Sequence, residues 1–380
     1  MAKSSIKQPE PSLEHLKQLT DDTGLFQHAR YIIPYREEGY CTDDNARAVI
    51  AATKYYALHH EPPARRRGLA RLDSPSSARQ AEGGQALELL NTYLAFVLHS
   101  QNSDGSIRNL MNFDRTWRQN EPGNDALGRV LWALGTVLAK PPSPAYQPTI
   151  KEYFENSAVH VEKQSPRGKA YSILGMSEYL KQFPQVGNLE GWMEIAADSL
   201  IVQYEKNSFP NWRWFDGALT YDNAILPCAL FAAGAVLGNK YIEVAEETCE
   251  FLLANIFNGD YFSFIGCMGW YKRGGTRAKF DQQPIEAAST GLMLKAAYDA
   301  TGNDRFLTLQ RKAFEWFLGE NDLHLPLYDF KSKGCSDGLM SDGVNPNEGA
   351  ESTLSFLLSL LTIVETTKSK PVKTRHKKSR

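Results

Sequence analysis

The feature that most constrains this chain is the recurrence of apolar residues at helical spacing, with hardly any of the alternation that marks a strand. A chain of this kind buries its apolar faces by packing helix on helix. The spacing predicts twelve helices, at 12–19, 46–59, 86–101, 125–138, 150–161, 169–180, 189–204, 223–237, 242–256, 284–299, 305–318 and 350–366.

These helices are of two alternating kinds. The segments at 242–256 and 305–318 are amphipathic and well charged, which is typical of an outer layer with one wet face. Segments such as 125–138, 223–237 and 350–366 are small and apolar nearly all round, which is typical of buried helices. The alternation predicts an all-α fold, an (α/α)6 barrel of six inner and six outer helices in a single domain.

The domain boundaries follow from composition. We expect the barrel to span 12–367, after a flexible N-terminus at 1–11, with a Pro/Ser/Arg-rich insertion at 61–83. The tail at 368–380 holds seven Lys or Arg and no acid, and we expect it to be disordered. With 44 acidic and 42 basic residues in all, the rest of the chain carries a net charge of −9. An acidic body argues against a nucleic-acid-binding protein.

The sequence predicts a cytoplasmic location. The N-terminus has no signal-peptide pattern, and no run of 18 apolar residues predicts a membrane span. The five cysteines show no paired spacing, so neither disulfides nor a zinc site are expected. Nothing in the sequence requires a metal or an organic cofactor.

Polar residues gather where each inner helix is predicted to begin. The six segments read CTDDNAR (41–47), PGNDALGR (122–129), SPRGKAYS (165–172), LTYDNAIL (219–226), FDQQPIEA (280–287) and PNEGAEST (346–353). Helix capping needs one small polar residue at each start, whereas several of these segments offer more. In an (α/α)6 barrel the six starts would converge on one cleft. Carboxylates, amides and aromatic rings together suit a neutral polyhydroxyl ligand.

Hydrolysis of a glycosidic bond needs two carboxyl groups, one acting as acid and the other as base or nucleophile. We take as catalytic candidates the four acids Asp44, Asp222, Asp281 and Glu348. The predicted substrate-binding residues surround them: Asp43, Arg47, Asn124, Asp125, Trp212, Tyr221, Asn223, Trp270, Gln282, Gln283 and Glu351. Glu286 and Glu351 lie inside a predicted first helical turn, where a capping role is an alternative.

A glycine-rich segment at 269–277 lacks the Walker pattern of nucleotide-binding loops. Its basic residues Lys272, Arg273 and Arg277 suit an anion, so phosphorolysis stays open beside hydrolysis.

Five segments of the sequence resemble a bacterial family of helical, (α/α)6-barrel glycosidase-like domains, which are found alone or fused behind glycosyltransferase domains. The matching segments are DDTGLFQHA (21–29), GYCTDDNAR (39–47), GNDALGR (123–129), TYDNA (220–224) and NEGAEST (347–353). The resemblance implies a carbohydrate-active protein that works beside a glycosyltransferase system. No βαβ pattern in this chain predicts a glycosyltransferase domain of its own.

The sequence therefore predicts a barrel that cleaves a glycosidic bond in an oligosaccharide, as an inverting hydrolase. A sugar epimerase or isomerase on the same barrel is an alternative. Such enzymes use histidine acids and bases, and none of the eight histidines lies at an inner-helix start.

A non-catalytic glycan-binding barrel also remains open, although it would not need so many acids. A polysaccharide lyase with Tyr221 as base would call for a basic cleft, and a terpene enzyme would call for a DDxxD motif that is lacking here.

Overall fold

The computed structural model describes residues 8–60, 77–119, 125–184 and 187–369. Twelve α-helices lie in these ranges, and each coincides with a predicted one. They are α1 (Glu14–Gln18), α2 (Thr42–His60), α3 (Ser77–Ser100), α4 (Ala126–Ala139), α5 (Gln147–Ala158), α6 (Pro166–Gln182), α7 (Leu189–Asn207), α8 (Ile225–Leu237), α9 (Asn239–Ile256), α10 (Pro284–Thr301), α11 (Asp304–Glu315) and α12 (Ala350–Ser369).

The even-numbered helices form a closed inner ring. Each of α2, α4, α6, α8 and α10 packs on the next, and α12 returns to α2. Helices α3, α5, α7, α9 and α11 each pack outside the inner helix that precedes them, and α1 packs on α12. The predicted (α/α)6 barrel is confirmed.

Most helices begin or end within about three residues of the predicted positions, and three boundaries bear on the site or on the predicted domain limits. Helix α2 begins at Thr42, so Asp43 and Asp44 lie inside its first turn, where acids are favoured by the helix dipole. Helix α3 begins at Ser77 and takes in the end of the expected insertion, and two glycines there, Gly83 and Gly84, weaken the sequence signal for a helix. Helix α12 continues to Ser369, just into the expected basic tail. Residues 1–7, 61–76 and 370–380 lie outside the described residues. They include most of the predicted flexible N-terminus, of the predicted insertion and of the predicted basic tail.

All six inner helices begin at one end of the barrel, which we call the N-terminal end. Four short antiparallel strand pairs lie in the connections that lead to it. These strands are β1 (Ala29–Arg30) with β2 (Ile33–Pro34), β3 (Tyr40–Cys41) with β4 (Leu110–Met111), β5 (Ala218–Leu219) with β6 (Tyr271–Lys272), and β7 (Gly338–Met340) with β8 (Gly343–Asn345).

Helices α4 and α6 approach each other through glycines. A Cβ at Gly128 would lie 2.1 Å from the carbonyl oxygen of Gly168, and one at Gly135 would lie 2.2 Å from that of Gly175. Backbone contact of this kind has no room for a side chain. It brings the starts of these two inner helices close together at the N-terminal end.

No helix in the described part of the chain is both long and apolar enough to cross a membrane. The five cysteines, all within the described residues, are unpaired.

Candidate active site

Six charged side chains converge at the N-terminal end of the barrel. They come from three inner helices and from the connection before a fourth. We call them the carboxylate–arginine cluster, and they are Asp43, Asp44 and Arg47 of α2, Arg129 of α4, Asp222 ahead of α8 and Glu351 of α12.

Arg47 joins three carboxylates. Its Nη1 lies 2.9 Å from Asp44 Oδ1, and its Nη2 lies 3.0 Å from Asp43 Oδ2 and 2.8 Å from Glu351 Oε2. The guanidinium is almost fully buried, so these ion pairs offset the cost of removing its charge from water. Arg47 therefore fixes the start of α12 against the start of α2.

Arg129 extends the cluster across the barrel. Its Nε contacts Asp43, and its Nη2 donates to the hydroxyls of Tyr171 and Tyr221, the latter at 2.9 Å. The same nitrogen lies 3.3 Å from Asp222 Oδ2, which also accepts from the Tyr171 hydroxyl. The Arg129 guanidinium lies 3.9 Å from the centre of the Tyr171 ring, a cation–π contact.

Asp222 is held in place by a residue of another helix. Its φ is +45°, a left-handed conformation that Asp adopts more readily than most residues. Glu286 of α10 accepts from the backbone nitrogen of Asp222, and its Oε2 accepts from the backbone nitrogen of Asn223 at 3.3 Å and from the side-chain amide of Asn223 at 3.1 Å. Glu286 thus secures the turn that points Asp222 at Arg129.

Burial shifts the protonation of two acids at this end. It raises the pKa of Asp44 to about 7, against the opposing effect of Arg47. It raises the pKa of Glu286 to about 8, with the Asp222 charge adding to the effect. Burial also raises the pKa of Tyr221 and Tyr171, so both stay hydroxyl donors near neutral pH. A carboxyl group that titrates near pH 7 is suited to donate a proton.

Two carboxylates of the cluster are more accessible than the others. The Glu351 side chain is 36% exposed and that of Asp43 is 17% exposed, against 6% for Asp44 and 2% for Asp222. Glu351 and Asp43 therefore face the solvent side of the cluster, where a ligand would arrive. Their oxygens can accept hydrogen bonds from hydroxyl groups.

Several predicted residues lie elsewhere. Glu348 accepts from the Ser332 hydroxyl at 2.6 Å and lies 3.5 Å from the ring of buried His15, outside the contacts of the cluster. Trp212, expected to line the cleft, instead packs in the core on Phe251 and Tyr271. Its position follows from its large apolar ring, whose Nε1 donates to the Asp216 carbonyl at 2.6 Å.

Gln282, also expected to bind substrate, is a core residue. Its Oε1 accepts from the Phe264 backbone nitrogen at 3.0 Å and from Trp316 Nε1 at 3.1 Å. Its Nε2 donates to Asp322 and to the Lys279 carbonyl, at 2.6 and 2.9 Å. With its hydrogen-bonding groups engaged inside the protein, Gln282 serves the fold.

The remaining predicted residues surround the inner-helix starts. Tyr221 joins the cluster through Arg129, whereas Asn223 is fully buried and bonded to Thr220 and Glu286. Asp125 accepts from the Ser165 hydroxyl, which links the starts of α4 and α6. Asp281, Gln283 and Trp270 are partly buried ahead of α10, and Asn124 lies outside the described residues.

Sequence reasoning missed Arg129 and Tyr171, and it left the role of Glu286 open between a site carboxylate and a helix cap. The signal for Arg129 and Glu286 was present, because each is a charged residue in a helix that is otherwise apolar. A charge on a buried helix has to meet a partner. Tyr171 carried no comparable signal.

A cavity of about 600 Å³ opens at the opposite end of the barrel, where the inner helices end. Its floor includes Trp132 and Phe231, and its rim carries Lys54 and Lys140. Both lysines pair with Glu365, at 2.6 and 3.3 Å. None of the predicted site residues lies there, and we place the candidate site at the N-terminal end, where unlike polar groups converge.

Two further observations concern possible metal and anion ligands among the described residues. The described ranges contain no group of three or more His, Cys, Asp or Glu placed to hold a metal ion. In the glycine-rich segment, Arg277 turns inward and donates to Ser263 and Phe264, while Lys272 and Arg273 are exposed.

No protein-family profile matches the chain, and no curated protein matches its sequence. Solved structures do match it over nearly its whole length. A sugar epimerase from a ruminal bacterium has a TM-score of 0.67 at 11% identity, covering 93% of this chain and 96% of its own. A GH76 α-mannanase of Bacteroides thetaiotaomicron has a TM-score of 0.63 at 13% identity, covering 94% of each chain.

The cellobiose 2-epimerase of Spirochaeta thermophila has a TM-score of 0.63 at 10% identity, covering 93% of each chain. At these identities the likeness establishes the fold alone. The chain therefore shares its (α/α)6 barrel with sugar epimerases and with glycoside hydrolases.

Proposed function

We propose that this protein hydrolyses a glycosidic bond in an oligosaccharide, with inversion at the anomeric carbon. The observation that carries the proposal is the carboxylate–arginine cluster, which brings a buried acid and accessible carboxylates to the N-terminal end of the barrel. The cluster has more carboxylates than arginines. This excess suits a neutral sugar, whose hydroxyls donate to carboxylates, better than an anionic one.

In the proposed reaction Asp44 is the general acid. Its pKa of about 7 leaves a large protonated fraction at neutral pH, and its proton passes to the glycosidic oxygen as the bond to the anomeric carbon breaks. Glu351 is the general base and takes a proton from the water whose oxygen forms the new bond. The two acids contact different terminal nitrogens of Arg47. The inverting mechanism requires their carboxyl groups to lie roughly 6.5–9.5 Å apart, with room for the water between them.

The distribution of backbone strain supports a site at this end. Among the described residues, all six non-glycine residues with positive φ lie in connections that lead into inner helices, and they include Asp222 and Trp270. Strained backbone of this kind clusters at active sites and ligand clamps.

The proposal is tested with Asp44→Asn and Glu351→Gln. We expect each to lower the rate of cleavage by about 10²–10⁴-fold, because a proton-transfer group is lost while the shape of the site is kept. The assay is product release from manno-, gluco- and galacto-oligosaccharides, with and without phosphate, and NMR of the first-formed anomer. Asp198→Asn, a change on outer helix α7, is the matched control and should keep the wild-type rate.

Wild-type turnover in both variants would rule out these assignments. A retained anomer would contradict the inverting mechanism, and product formed only with phosphate would indicate phosphorolysis.

A sugar epimerase or isomerase is the second candidate, favoured by the fold shared with the ruminal epimerase and with a D-mannose isomerase (TM-score 0.63, 10% identity). Against it, no histidine of the described chain makes a contact with the carboxylate–arginine cluster. Incubation of mannose, glucose and cellobiose in D₂O separates the two. Proton abstraction beside the carbonyl exchanges deuterium into the sugar without cleavage, whereas hydrolysis shortens the chain.

A further inference from the structure

We propose that the turn of the β1–β2 hairpin, Tyr31–Ile32 with the adjoining Ile33, is a platform that binds a sugar residue of the substrate beyond the two that flank the scissile bond at the carboxylate–arginine cluster. We call residues 31–33 the hairpin tip. This inference rests on the proposed function and names the class of substrate as an oligosaccharide that extends beyond the cluster.

The hairpin tip exposes three consecutive large apolar side chains. Tyr31 is 66% exposed, Ile32 is 42% exposed and Ile33 is 67% exposed. Single exposed apolar residues are ordinary, but adjoining ones mark surfaces that meet a ligand or a partner.

The backbone of the tip is unusual for its residues. Ala29 pairs with Pro34 and Arg30 with Ile33, which leaves a two-residue turn. Turns of this length favour Asn and Gly, because positive φ is needed. Here Tyr31 adopts φ +54°, a left-handed conformation that is unfavourable for an aromatic residue. Residues in such conformations are held by the surrounding structure, and they cluster at active sites and ligand clamps.

Hydrogen bonds hold the tip against the start of α12. The Tyr31 backbone nitrogen donates to Asn347 Oδ1 at 2.8 Å, and the Glu348 nitrogen donates to the Tyr31 carbonyl at 2.9 Å. Gln18 Nε2 donates to the Ile32 carbonyl at 2.6 Å. The tip is therefore fixed in position although its side chains face solvent.

The hydrogen bonds to Asn347 and Glu348 place the Tyr31 backbone close to the start of α12, where the cluster lies. Glu348 lies in the connection before α12, three residues ahead of Glu351, which contacts Arg47. A substrate that extends past Glu351, beyond the two sugar residues that flank the scissile bond, would reach the hairpin tip. An aromatic ring with a polar hydroxyl suits the C–H face of a neutral sugar, so the occupant we infer is the next sugar residue along the chain.

The experiment compares substrates of two lengths on the full chain. Calorimetry measures the binding of mannobiose, mannopentaose, cellobiose and cellopentaose to the wild type, Tyr31→Gly and Tyr31→Phe. We expect Tyr31→Gly to weaken binding of the preferred pentaose about tenfold and to leave the matching disaccharide within twofold. Tyr31→Phe should keep the pentaose affinity within threefold, since the ring remains.

Thermal unfolding separates this role from a structural one. Because glycine adopts positive φ without strain, Tyr31→Gly should unfold at the wild-type temperature or above it. The matched control is Val202→Ala on outer helix α7, which removes a side chain of similar exposure, 62%, and should change neither affinity.

Unchanged pentaose affinity in Tyr31→Gly, or equal weakening for both lengths, would overturn the platform. If the wild type binds the pentaose without releasing product, and Tyr31→Gly weakens that binding, the platform is supported and the proposed hydrolysis is contradicted. If the wild type cleaves the pentaose and Tyr31→Gly binds it with unchanged affinity, the platform is overturned and the proposed hydrolysis is not. No binding by any of the four sugars overturns both.

Discussion

At the scale of single residues, the site depends on charges that are buried together. Arg47 and Arg129 are 2% and 3% exposed, and their partners come from separate helices. Removing one member of such a network leaves another charge buried and unpaired, at a cost of about 3–5 kcal/mol. The stability of the fold therefore depends on the same charged residues that form the candidate site.

The raised pKa values of Asp44 and Glu286 make stability depend on pH. Their folded pKa values, about 7 and about 8, lie above the ordinary 3.8 and 4.5, so the folded state binds more protons between these limits. The free energy of unfolding should therefore fall as pH rises from about 5 to 8, by up to about 1.4 kcal/mol per pH unit for each group.

Urea unfolding of the wild type and Glu286→Gln at pH 5 and pH 8 measures this effect. Glutamine does not titrate, so the difference between the two pH values should be smaller in the variant. Asp198→Asn is the control, because the pKa of Asp198 is lowered from 3.8, below this interval. An identical pH difference in wild type and Glu286→Gln would contradict the assignment.

The same titration governs the proposed catalysis. Since Asp44 has to be protonated to act as the acid, kcat/KM should decline as pH rises through about 7. A pH–rate profile measures the decline. A rate that stays flat from pH 6 to 9 would exclude Asp44 as the acid.

At the scale of elements, the contact between α4 and α6 is the most sensitive to side-chain size. Gly135→Ala would place a methyl group 2.2 Å from the Gly175 carbonyl oxygen, so the helices have to separate. We expect a loss of about 1–3 kcal/mol in the free energy of unfolding, as for overpacked cores.

Gly291→Ala on α10 is the matched control for this helix contact. A Cβ at Gly291 meets nothing within 4 Å, so the higher helix propensity of alanine should leave stability equal or raise it by up to about 1 kcal/mol. Equal effects of the two substitutions, measured by urea unfolding, would contradict the close approach of α4 and α6.

At the scale of the whole molecule, α12 closes the barrel. It packs between α10 and α2, with Glu351 on Arg47 at one end and Glu365 on Lys54 at the other. A chain that ends at Asn345 would leave the apolar faces of α2 and α10 uncovered. We expect it to lose the cooperative thermal transition, whereas a chain ending at Ser369 should keep it. Cooperative unfolding without α12 would show that ring closure is not required.

The N-terminal end of the barrel also differs from the rest of the surface. Of the twelve exposed large hydrophobic residues described, nine lie in connections that lead into inner helices, including Tyr31, Phe113 and Met268. Outer helices, by contrast, present mostly polar faces to water. The concentration at one end fits the proposed interaction of this end with an extended ligand.

The helices and their alternation could be predicted from the sequence alone, because helical periodicity and overall apolarity are local properties of the chain. It also located the polar segments at the inner-helix starts, and so pointed to Asp43, Asp44, Arg47 and Asp222. The first three lie on one turn of α2, whereas Asp222 and Glu351 lie far along the chain. The ion pairs that join Asp222 to Arg129 and Glu351 to Arg47 depend on ring closure.

Only the tertiary structure decided which polar groups meet. Gln282 and Glu348 belong to patterns as polar as that of Asp222, yet the first is bonded within the core and the second contacts His15 and Ser332. The difference arises from the direction in which each connection turns before its helix. That direction is set by packing against neighbouring elements, such as Glu286 on the turn at Asp222, and the local sequence does not encode it.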